Sequence, residues 1–143
     1  MNALITDLQQ YYSDFLTGDL SRLDDFYHRD LVFADPLHRI EGLDTAKQYF
    51  ASMRDGLLRC QFEFGLVTVA ADSACLPWQM HYAHRALNGG RPLSLRGCSL
   101  LRFNQRIHYH EDFYDLGAMV YEQVPLLGAL VRGVKSRLAG QGG

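Results

Sequence analysis

Apolar residues in the first third of the chain recur at helical spacing. From residue 4 to residue 15 they follow one another every three or four positions, which predicts one face of an amphipathic helix. A second, short helix is predicted over residues 19–27. A third is predicted to begin at Asp44, a residue type that caps helix N-termini, and to end at Gly56. This part of the chain is therefore predicted to be mainly helical.

The second half of the chain alternates apolar and polar residues with the period of two that is typical of strands. Strands are predicted over residues 60–66, 74–85, 93–103 and 107–114. Asn88-Gly89-Gly90 has the composition of a hairpin turn, so the strands on either side of it are predicted to pair antiparallel.

A short strand is predicted between the helices, over residues 31–35, where alternation places Leu31, Phe33 and Asp35 on one face. Pro36 ends this strand because proline cannot donate to a ladder. The succession of helices, strand, helix and antiparallel strands predicts an α+β domain with one curved sheet.

The helical period returns near the C-terminus, with an apolar stripe from residue 126 to residue 138 and a break at Pro125. We expect a single domain over residues 1–143, with a core at 3–116 and a helical extension at 117–139. From Gln123 onward the chain has basic residues and no acidic ones. Such a tail lies on a membrane surface, or it docks on the domain or on a partner subunit.

Composition excludes several classes of protein. The 143 residues carry fourteen Lys and Arg against sixteen Asp and Glu, a net charge of −2, which offers no electrostatic case for a nucleic-acid partner. No apolar run is long enough for a membrane span. The N-terminus lacks the segments of a secretory signal, and the three cysteines, in apolar stretches without C-x-x-C spacing, are typical of reduced thiols. A cytoplasmic location is expected.

Three segments share a likeness to one family. Residues 11–20 combine a helix with Gly-Asp-Leu, Phe33-Ala34-Asp35-Pro36 ends a strand ahead of Gly42, and residues 102–115 form two closing strands. Together they resemble the SnoaL-like and ketosteroid-isomerase-like branch of the nuclear transport factor two superfamily, over nearly all of residues 3–116. The resemblance implies a cystatin-like cone, in which a curved antiparallel sheet wraps on N-terminal helices around one pocket. It also implies a homodimer through the sheet, and here the chain adds an extra C-terminal helix.

Asp35 is the strongest candidate for a catalytic residue. It shares a strand face with Leu31 and Phe33, and a carboxyl group in apolar surroundings is a better proton acceptor near neutral pH. The resemblance implies that the Asp of this Asp-Pro is a general base. The alternative is an Asp at the end of a strand that caps the turn at Pro36.

The resemblance also points to two hydrogen-bond donors. Tyr11 matches the family's tyrosine that stabilises an oxyanion, although a core tyrosine on an amphipathic helix is the alternative. Ser99 falls where the isomerases have a protonated acid with the same role. A serine hydroxyl is a weaker donor, which argues against steroid isomerisation itself.

The last predicted strand places His108, His110, Asp112 and Tyr114 on one face. Because these side chains are polar, they do not form an apolar core surface. The face therefore lines the pocket, is solvated or forms an interface. Asp112 resembles the acid that serves as base in SnoaL-type cyclases and limonene-epoxide-hydrolase-like members. The latter also need Arg-x-Asp, where this chain has Gln79-Met80-His81. A metal at His108-x-His110 is not expected, because the further ligands of a cupin site are missing.

Four other residues are candidate ligand contacts. Trp78 and His81 lie on opposite faces of one strand, so only one of them can line a pocket, and His81 otherwise has a structural hydrogen bond. Arg96 either binds an acid group of the ligand or forms a cross-strand salt bridge. Phe33 shares the face of Asp35.

These candidates predict a small-molecule enzyme that uses no metal or organic cofactor. It would run isomerase, cyclase or hydrolase-like proton transfer on an apolar, oxygen-bearing ligand. Asp35 or Asp112 would be the base, and Tyr11 with His81 or His110 would donate hydrogen bonds. The alternative is a non-catalytic ligand-binding or assembly module of the same fold, favoured by Ser99 and by the absent Arg-x-Asp.

Overall fold

A computed structural model describes residues 2–119 and 127–142 of the chain. Its α-helices are α1 (Ala3–Ser13), α2 (Leu43–Gly56), α3 (Leu116–Met119) and α4 (Leu127–Gly142), and 3-10 helices cover Leu20–Asp25 and Asn88–Gly90. Its strands are β1 (Tyr27–Ala34), β2 (Arg39–Glu41), β3 (Leu57–Phe64), β4 (Thr68–Val69), β5 (Ser73–His84), β6 (Leu93–Phe103) and β7 (Ile107–Tyr114).

The predicted α+β architecture is confirmed. The strands form one curved sheet in the order β2-β1-β7-β6-β5-β3, with β4 paired to β5. The neighbours β1 and β7 run parallel, and the other pairs are antiparallel. β6 and β7 have the predicted bounds. The short strands β2 and β4 were not predicted, because two or three residues carry too little alternation to detect.

Helices α1 and α2 cover one face of the sheet, here called the inner face. Ile5 and Leu8 of α1, Phe50 of α2 and Leu101 of β6 are almost completely buried in one core cluster. The side chain of Asn2 caps α1 by accepting a hydrogen bond from the backbone N–H of Leu4 at 2.9 Å. The apolar stripe predicted for the first helix is therefore the stripe that packs on the sheet.

A β-bulge in β7 decides which of its side chains reach the inner face. The pairing with β6 shifts between Phe103–Ile107 and Arg102–Tyr109, so His108 is an extra residue. His108 is exposed, and regular alternation follows it, with His110 buried on the inner face. The prediction that His108 shares a strand face with His110 is therefore wrong.

Strand β5 exchanges partners at Pro77. Cys75 pairs with β4, and pairing with β3 begins at Trp78. Proline has no N–H to donate, so it fits the position between the two neighbours. The exchange leaves Trp78 on the inner face, where it is buried.

Helix α4 is attached to the domain by the Lys135 ammonium group, which bonds to the carboxyl of Asp115. Val134 and Leu138 on its predicted apolar stripe are exposed. Residues 120–126 of the predicted extension, which include Pro125, lie outside the described residues. In the part of the chain that is described, no helix has the length and apolar character to cross a membrane.

Candidate active site

A cavity of about 320 Å³ lies between the inner face of the sheet and the helices. Asp35 and Asp112, the two candidate bases, both line it, and they are the acidic residues of its wall within the described part of the chain. A volume of this size is typical of small-molecule pockets. The aromatic part of the described wall consists of Tyr12, Phe15, Phe33, Phe50, Phe62, Trp78, Tyr82 and Tyr114.

The indole of Trp78 fits this wall because its partner on β6 is a glycine. Trp78 and Gly97 are directly opposed in the β5–β6 ladder. A Cβ atom at position 97 would lie 2.2 Å from Cη2 of the indole, far closer than two carbon atoms can approach. The glycine therefore makes room for the ring above β6.

Asp112 is held through one of its two oxygens. The Ser99 hydroxyl donates to Oδ1 at 2.5 Å, and His110 Nε2 lies 2.7 Å from the same atom. The indole N–H of Trp78 donates to the Ser99 hydroxyl at 2.9 Å. No group in the described part of the chain donates to Oδ2, so this oxygen is left for a ligand.

Two tyrosines, the buried Tyr27 and the half-buried Tyr12, continue the hydrogen bonds behind His110. Its Nδ1 lies 2.8 Å from the Tyr27 hydroxyl, which lies 2.9 Å from the Tyr12 hydroxyl. Burial raises the pKa of both phenols well above the ordinary value, so both keep their protons. When Tyr27 donates to Nδ1, the imidazole carries its proton on Nε2 and donates it to Asp112.

These groups form one buried hydrogen-bond chain, made up of Tyr12, Tyr27, His110, Asp112, Ser99 and Trp78. Its members come from α1, β1, β5, β6 and β7, so the tertiary fold assembles it. A small chamber of about 20 Å³ lies beside it and is lined by Ser99, His110 and Asp112 among apolar residues. That volume has room for about one water molecule.

Asp35 follows β1, and both of its oxygens accept hydrogen bonds. The backbone N–H groups of Leu37 and His38 donate to Oδ1 at 2.8 Å each, and the Tyr49 hydroxyl donates to Oδ2 at 2.7 Å. The side chain of Asp35 is only 4% exposed. Asp35 thus caps the turn at Pro36 and also forms part of the cavity wall.

Tyr114 presents a free hydrogen-bond donor to the cavity. Its hydroxyl has no partner within the described part of the chain. Burial is the main cause of a raised pKa for this phenol, and the nearby carboxyls of Asp35 and Asp112 raise the pKa further. The hydroxyl therefore keeps its proton and can donate it to a ligand oxygen.

Tyr11 is not among the lining residues of the cavity, and its burial matches the alternative interpretation of a core tyrosine. Its hydroxyl donates to the backbone carbonyl of Asp19 at 3.0 Å and lies 3.4 Å from Nη2 of Arg54. Tyr12 lines the cavity instead. One residue along a helix turns a side chain by about 100°, which is enough to exchange the two environments.

Two of the candidate ligand contacts lie on the outer face of the sheet. His81 bonds there to Glu63 at 3.0 Å and to Ser94 at 3.2 Å, so it is the structural histidine of the alternative interpretation. Arg96 is exposed on the same face and does not reach the cavity. By contrast, Phe33 and Trp78 line it.

Metal ligation has no support at the two histidines of β7. His108 is exposed, and both ring nitrogens of His110 take part in the hydrogen-bond chain. Among the described residues, no group of three His, Cys, Asp or Glu side chains is placed to hold a metal ion.

Sequence reasoning did not single out three residues of this site, namely Tyr12, Tyr27 and Tyr114. The helical stripe of α1 contains both Tyr11 and Tyr12, so spacing alone cannot choose between them. Tyr27 was placed at the end of a predicted helix, whereas it begins β1. Tyr114 could have been identified as a site residue from the sequence, because alternation places it on the same strand face as Asp112.

A curved sheet closed by helices around one cavity defines the class of nuclear-transport-factor-two-like proteins. Residues 8–110 match the family model of the SnoaL-like domain. That match covers most of the chain, and the chain belongs to the SnoaL-like domain family. No curated protein matches the sequence.

Solved structures with low sequence identity show the same fold. A hypothetical protein with a ketosteroid isomerase-like fold from Catenulispora acidiphila DSM 44928, in complex with trimethylamine, is 15% identical, covering 86% of this chain and 92% of its own, with a TM-score of 0.72. A protein designated a SnoaL-like polyketide cyclase from Shewanella putrefaciens CN-32 is 21% identical over 83% and 94%, with a TM-score of 0.68. AclR from Streptomyces galilaeus, designated a hydroxylase, is 17% identical over 97% and 91%, with a TM-score of 0.69.

Proposed function

We propose that this protein is an acid–base enzyme that moves a proton on a small, apolar, oxygen-bearing ligand, with Asp112 as the base. One observation carries the proposal. Asp112 faces an aromatic cavity, and Ser99 and His110 fix its Oδ1 while Oδ2 has no partner in the described chain. A general base needs such a fixed orientation within reach of the proton that it takes. Isomerase and cyclase reactions share this step.

The proton transfer uses two groups of the cavity wall. Oδ2 of Asp112 takes a proton from a carbon next to a carbonyl group, and the electron pair moves to the carbonyl oxygen, which forms an enolate. The Tyr114 hydroxyl donates a hydrogen bond to this oxygen. Stabilisation of such developing charge is commonly the largest contribution to catalysis. Tyr114 takes the role that the resemblance gave to Tyr11.

His110 and Tyr27 act as positioning residues in this scheme. The Tyr27 hydroxyl fixes the orientation of the imidazole through Nδ1, and the imidazole fixes Oδ1 of Asp112 through Nε2. The small chamber beside Asp112 also supports a hydrolase-like reaction, because it has room for one water molecule next to the base.

Deuterium exchange tests the role of Asp112. β-Tetralone, a two-ring ketone, is incubated with the protein in deuterium oxide, and NMR follows the protons next to its carbonyl. We expect the protein to accelerate exchange, and Asp112→Asn to lower the protein-dependent rate by about 10²- to 10⁴-fold, the usual contribution of general acid–base catalysis.

Glu111→Gln is the matched control, because Glu111 is the neighbour of Asp112 on β7 and points to the outer face. We expect this variant to keep the wild-type exchange rate. Unchanged exchange in Asp112→Asn would overturn the assignment of the base. Ketone binding without any acceleration would support the non-catalytic ligand-binding module.

We propose that two copies pair through the outer face of the sheet. Half-buried Pro77 and Leu100 lie on this face with Phe113, which is 49% exposed. An apolar patch of this kind in the middle of a sheet is typical of an interface. Phe113→Asp is expected to convert a dimer to a monomer in size-exclusion chromatography, whereas Leu66→Asp, in an exposed loop, is not. A monomeric wild type would contradict the proposal.

We propose a cytoplasmic location, in which the cysteines stay reduced. All three are free thiols, and the sulfur atoms of Cys75 and Cys98 lie 2.9 Å apart on neighbouring strands. Thiols this close persist in a reducing compartment. Alkylation in freshly lysed cells is expected to label both cysteines, and their recovery as a disulfide would oppose this location.

A further inference from the structure

Among the described residues, the cavity wall carries acidic groups and no Lys or Arg. Asp35 and Asp112 both belong to this wall. The carboxyl groups contact hydroxyls, backbone N–H groups and the imidazoles of His38 and His110. An imidazole has no permanent charge, unlike a guanidinium group. Within the described chain, the two acids therefore lack a fixed counter-charge.

Aromatic rings share the remaining surface with aliphatic and methionine side chains. The faces of Trp, Tyr and Phe attract cations through the negative face of the ring, and Trp does so most strongly. Phe33 and Trp78 belong to the same wall as the two acids. Aromatic faces together with acidic groups favour a ligand with a positive charge over a neutral ligand of the same shape.

The pKa of the Tyr114 phenol depends on the charges that line the cavity. After burial, the next causes of its raised pKa are the charges of Asp35 and Asp112, followed by Tyr82. Both acids therefore act on one point of the wall, and they directly follow Ala34 and Glu111, which pair in the parallel β1–β7 ladder. A positive group at this point would interact favourably with both.

We infer that the ligand of this cavity is an organic ammonium ion, with its nitrogen between Asp35 and Asp112 and an apolar body of one or two rings. The inference rests on the proposed function, because it names the class of ligand on which Asp112 acts. The size follows from the cavity volume of about 320 Å³, roughly twice the 150 Å³ or so that accommodates benzene. Carboxylate and phosphate ligands are excluded by repulsion, and Arg96, the residue that could bind them, lies on the outer face.

A pair of ketones that differ only in charge tests this inference. Phenacyltrimethylammonium and its tert-butyl isostere, in which carbon replaces nitrogen, have the same shape and the same CH₂ group next to a carbonyl. Isothermal titration calorimetry gives both affinities for the full-length protein. We expect the ammonium ion to bind at least about tenfold more tightly, as a desolvated cation on aromatic faces does. The isostere is more hydrophobic, so equal or tighter binding of the isostere would overturn the inference.

Variants that remove one carboxylate charge each test whether Asp35 and Asp112 cause the preference for the ammonium ion. Asp35→Asn and Asp112→Asn are each expected to reduce the preference for the ammonium ion at least about threefold, since each removes one charge from the wall. Asp7→Asn removes the same charge from the exposed side of α1 and is expected to keep the full preference. Retention of the preference in both cavity variants would overturn the inference. Asp35→Asn also removes an acceptor oxygen from the hydrogen bonds at the Pro36 turn, so it affects folding as well as charge. The comparison of the two ketones on the wild-type protein tests the inference without this variant.

Deuterium exchange of the same two ketones separates this inference from the proposed function. Tight binding of the ammonium ion without protein-dependent exchange would support the ligand class and contradict Asp112 as a base. Equal affinities with Asp112-dependent exchange of both ketones would support the base and overturn the ligand class.

Discussion

Ser99 of β6 and Asp112 of β7 are directly opposed in the antiparallel ladder, and the Ser99 hydroxyl donates to the Asp112 carboxyl at 2.5 Å. The same hydroxyl accepts the indole N–H of Trp78. One serine thus connects the candidate base to an aromatic residue of the cavity wall. In this position the donor does not contact the ligand but fixes the orientation of the base.

Ser99→Ala is expected to lower both stability and activity. It removes a hydrogen bond to a carboxylate and leaves the Trp78 N–H without its acceptor, which costs about 1–3 kcal/mol of unfolding free energy. Exchange of β-tetralone is expected to fall about tenfold because Oδ1 of Asp112 is less well fixed. Urea unfolding and NMR exchange measure the two effects. Ser94→Ala, on the outer face of β6, is the control, because it removes only an exposed hydrogen bond to His81 and should leave the exchange rate unchanged and stability nearly so.

Tyr114→Phe is expected to slow exchange while leaving affinity for the neutral ketone nearly unchanged. The variant keeps the aromatic ring and removes the hydroxyl that donates to the enolate oxygen. Loss of one such donor typically lowers the rate by about 10²- to 10³-fold. Tyr109→Phe, on the outer face of the same strand, is the matched control. A wild-type rate in Tyr114→Phe would remove this residue from the mechanism.

Gly97→Ala is expected to displace Trp78 from the cavity wall. The new Cβ would overlap the indole, and such overpacking costs about 1–3 kcal/mol of unfolding free energy. Since Trp78 is the single tryptophan of the chain, its fluorescence reports the displacement directly. Gly65→Ala is the control, because its Cβ would make an ordinary contact of 3.7 Å with Pro77. Unchanged emission in Gly97→Ala would show that the strands separate to accommodate the methyl group.

Stability is expected to fall as the pH rises above 9, the ordinary pKa of a cysteine thiol, and Cys60 is one cause. Burial raises the pKa of this cavity-lining thiol to about 12. The unfolded chain therefore loses this proton at lower pH than the folded chain, so the free energy of unfolding decreases by up to about 1.4 kcal/mol per pH unit. Between pH 9 and 10, where unfolded tyrosines with an ordinary pKa of about 10 have only begun to titrate, Cys60→Ala should flatten this decrease in urea unfolding.

Cys98→Ala provides the comparison for that experiment. Burial raises the pKa of this thiol to about 11, but Cys98 is only half-buried and its effect is partly screened by solvent. We expect it to flatten the pH dependence less than Cys60→Ala does. An equal or larger effect of Cys98→Ala would contradict the assignment to Cys60.

Local periodicity was sufficient for the strands that carry the site. The bounds of β6 and β7 could be predicted because apolar and polar residues alternate along most of each strand, and the inward positions of Ser99 and Asp112 follow from that alternation. The alternative interpretation of the Asp-Pro pair, an Asp at the end of a strand that caps a turn, likewise describes the hydrogen bonds of Asp35. These features depend on residues that are close in sequence.

Which residues meet at the site depended on tertiary packing. The stripe of α1 presents both Tyr11 and Tyr12, and the angle at which the helix meets the sheet decided that Tyr12 lines the cavity. The bulge at His108 depends on the register against β6, which no local pattern encodes. The sequence by itself determined the sheet and the face of each long strand. The tertiary structure decided which tyrosines complete the hydrogen-bond chain to Asp112, because those contacts join residues up to 83 positions apart.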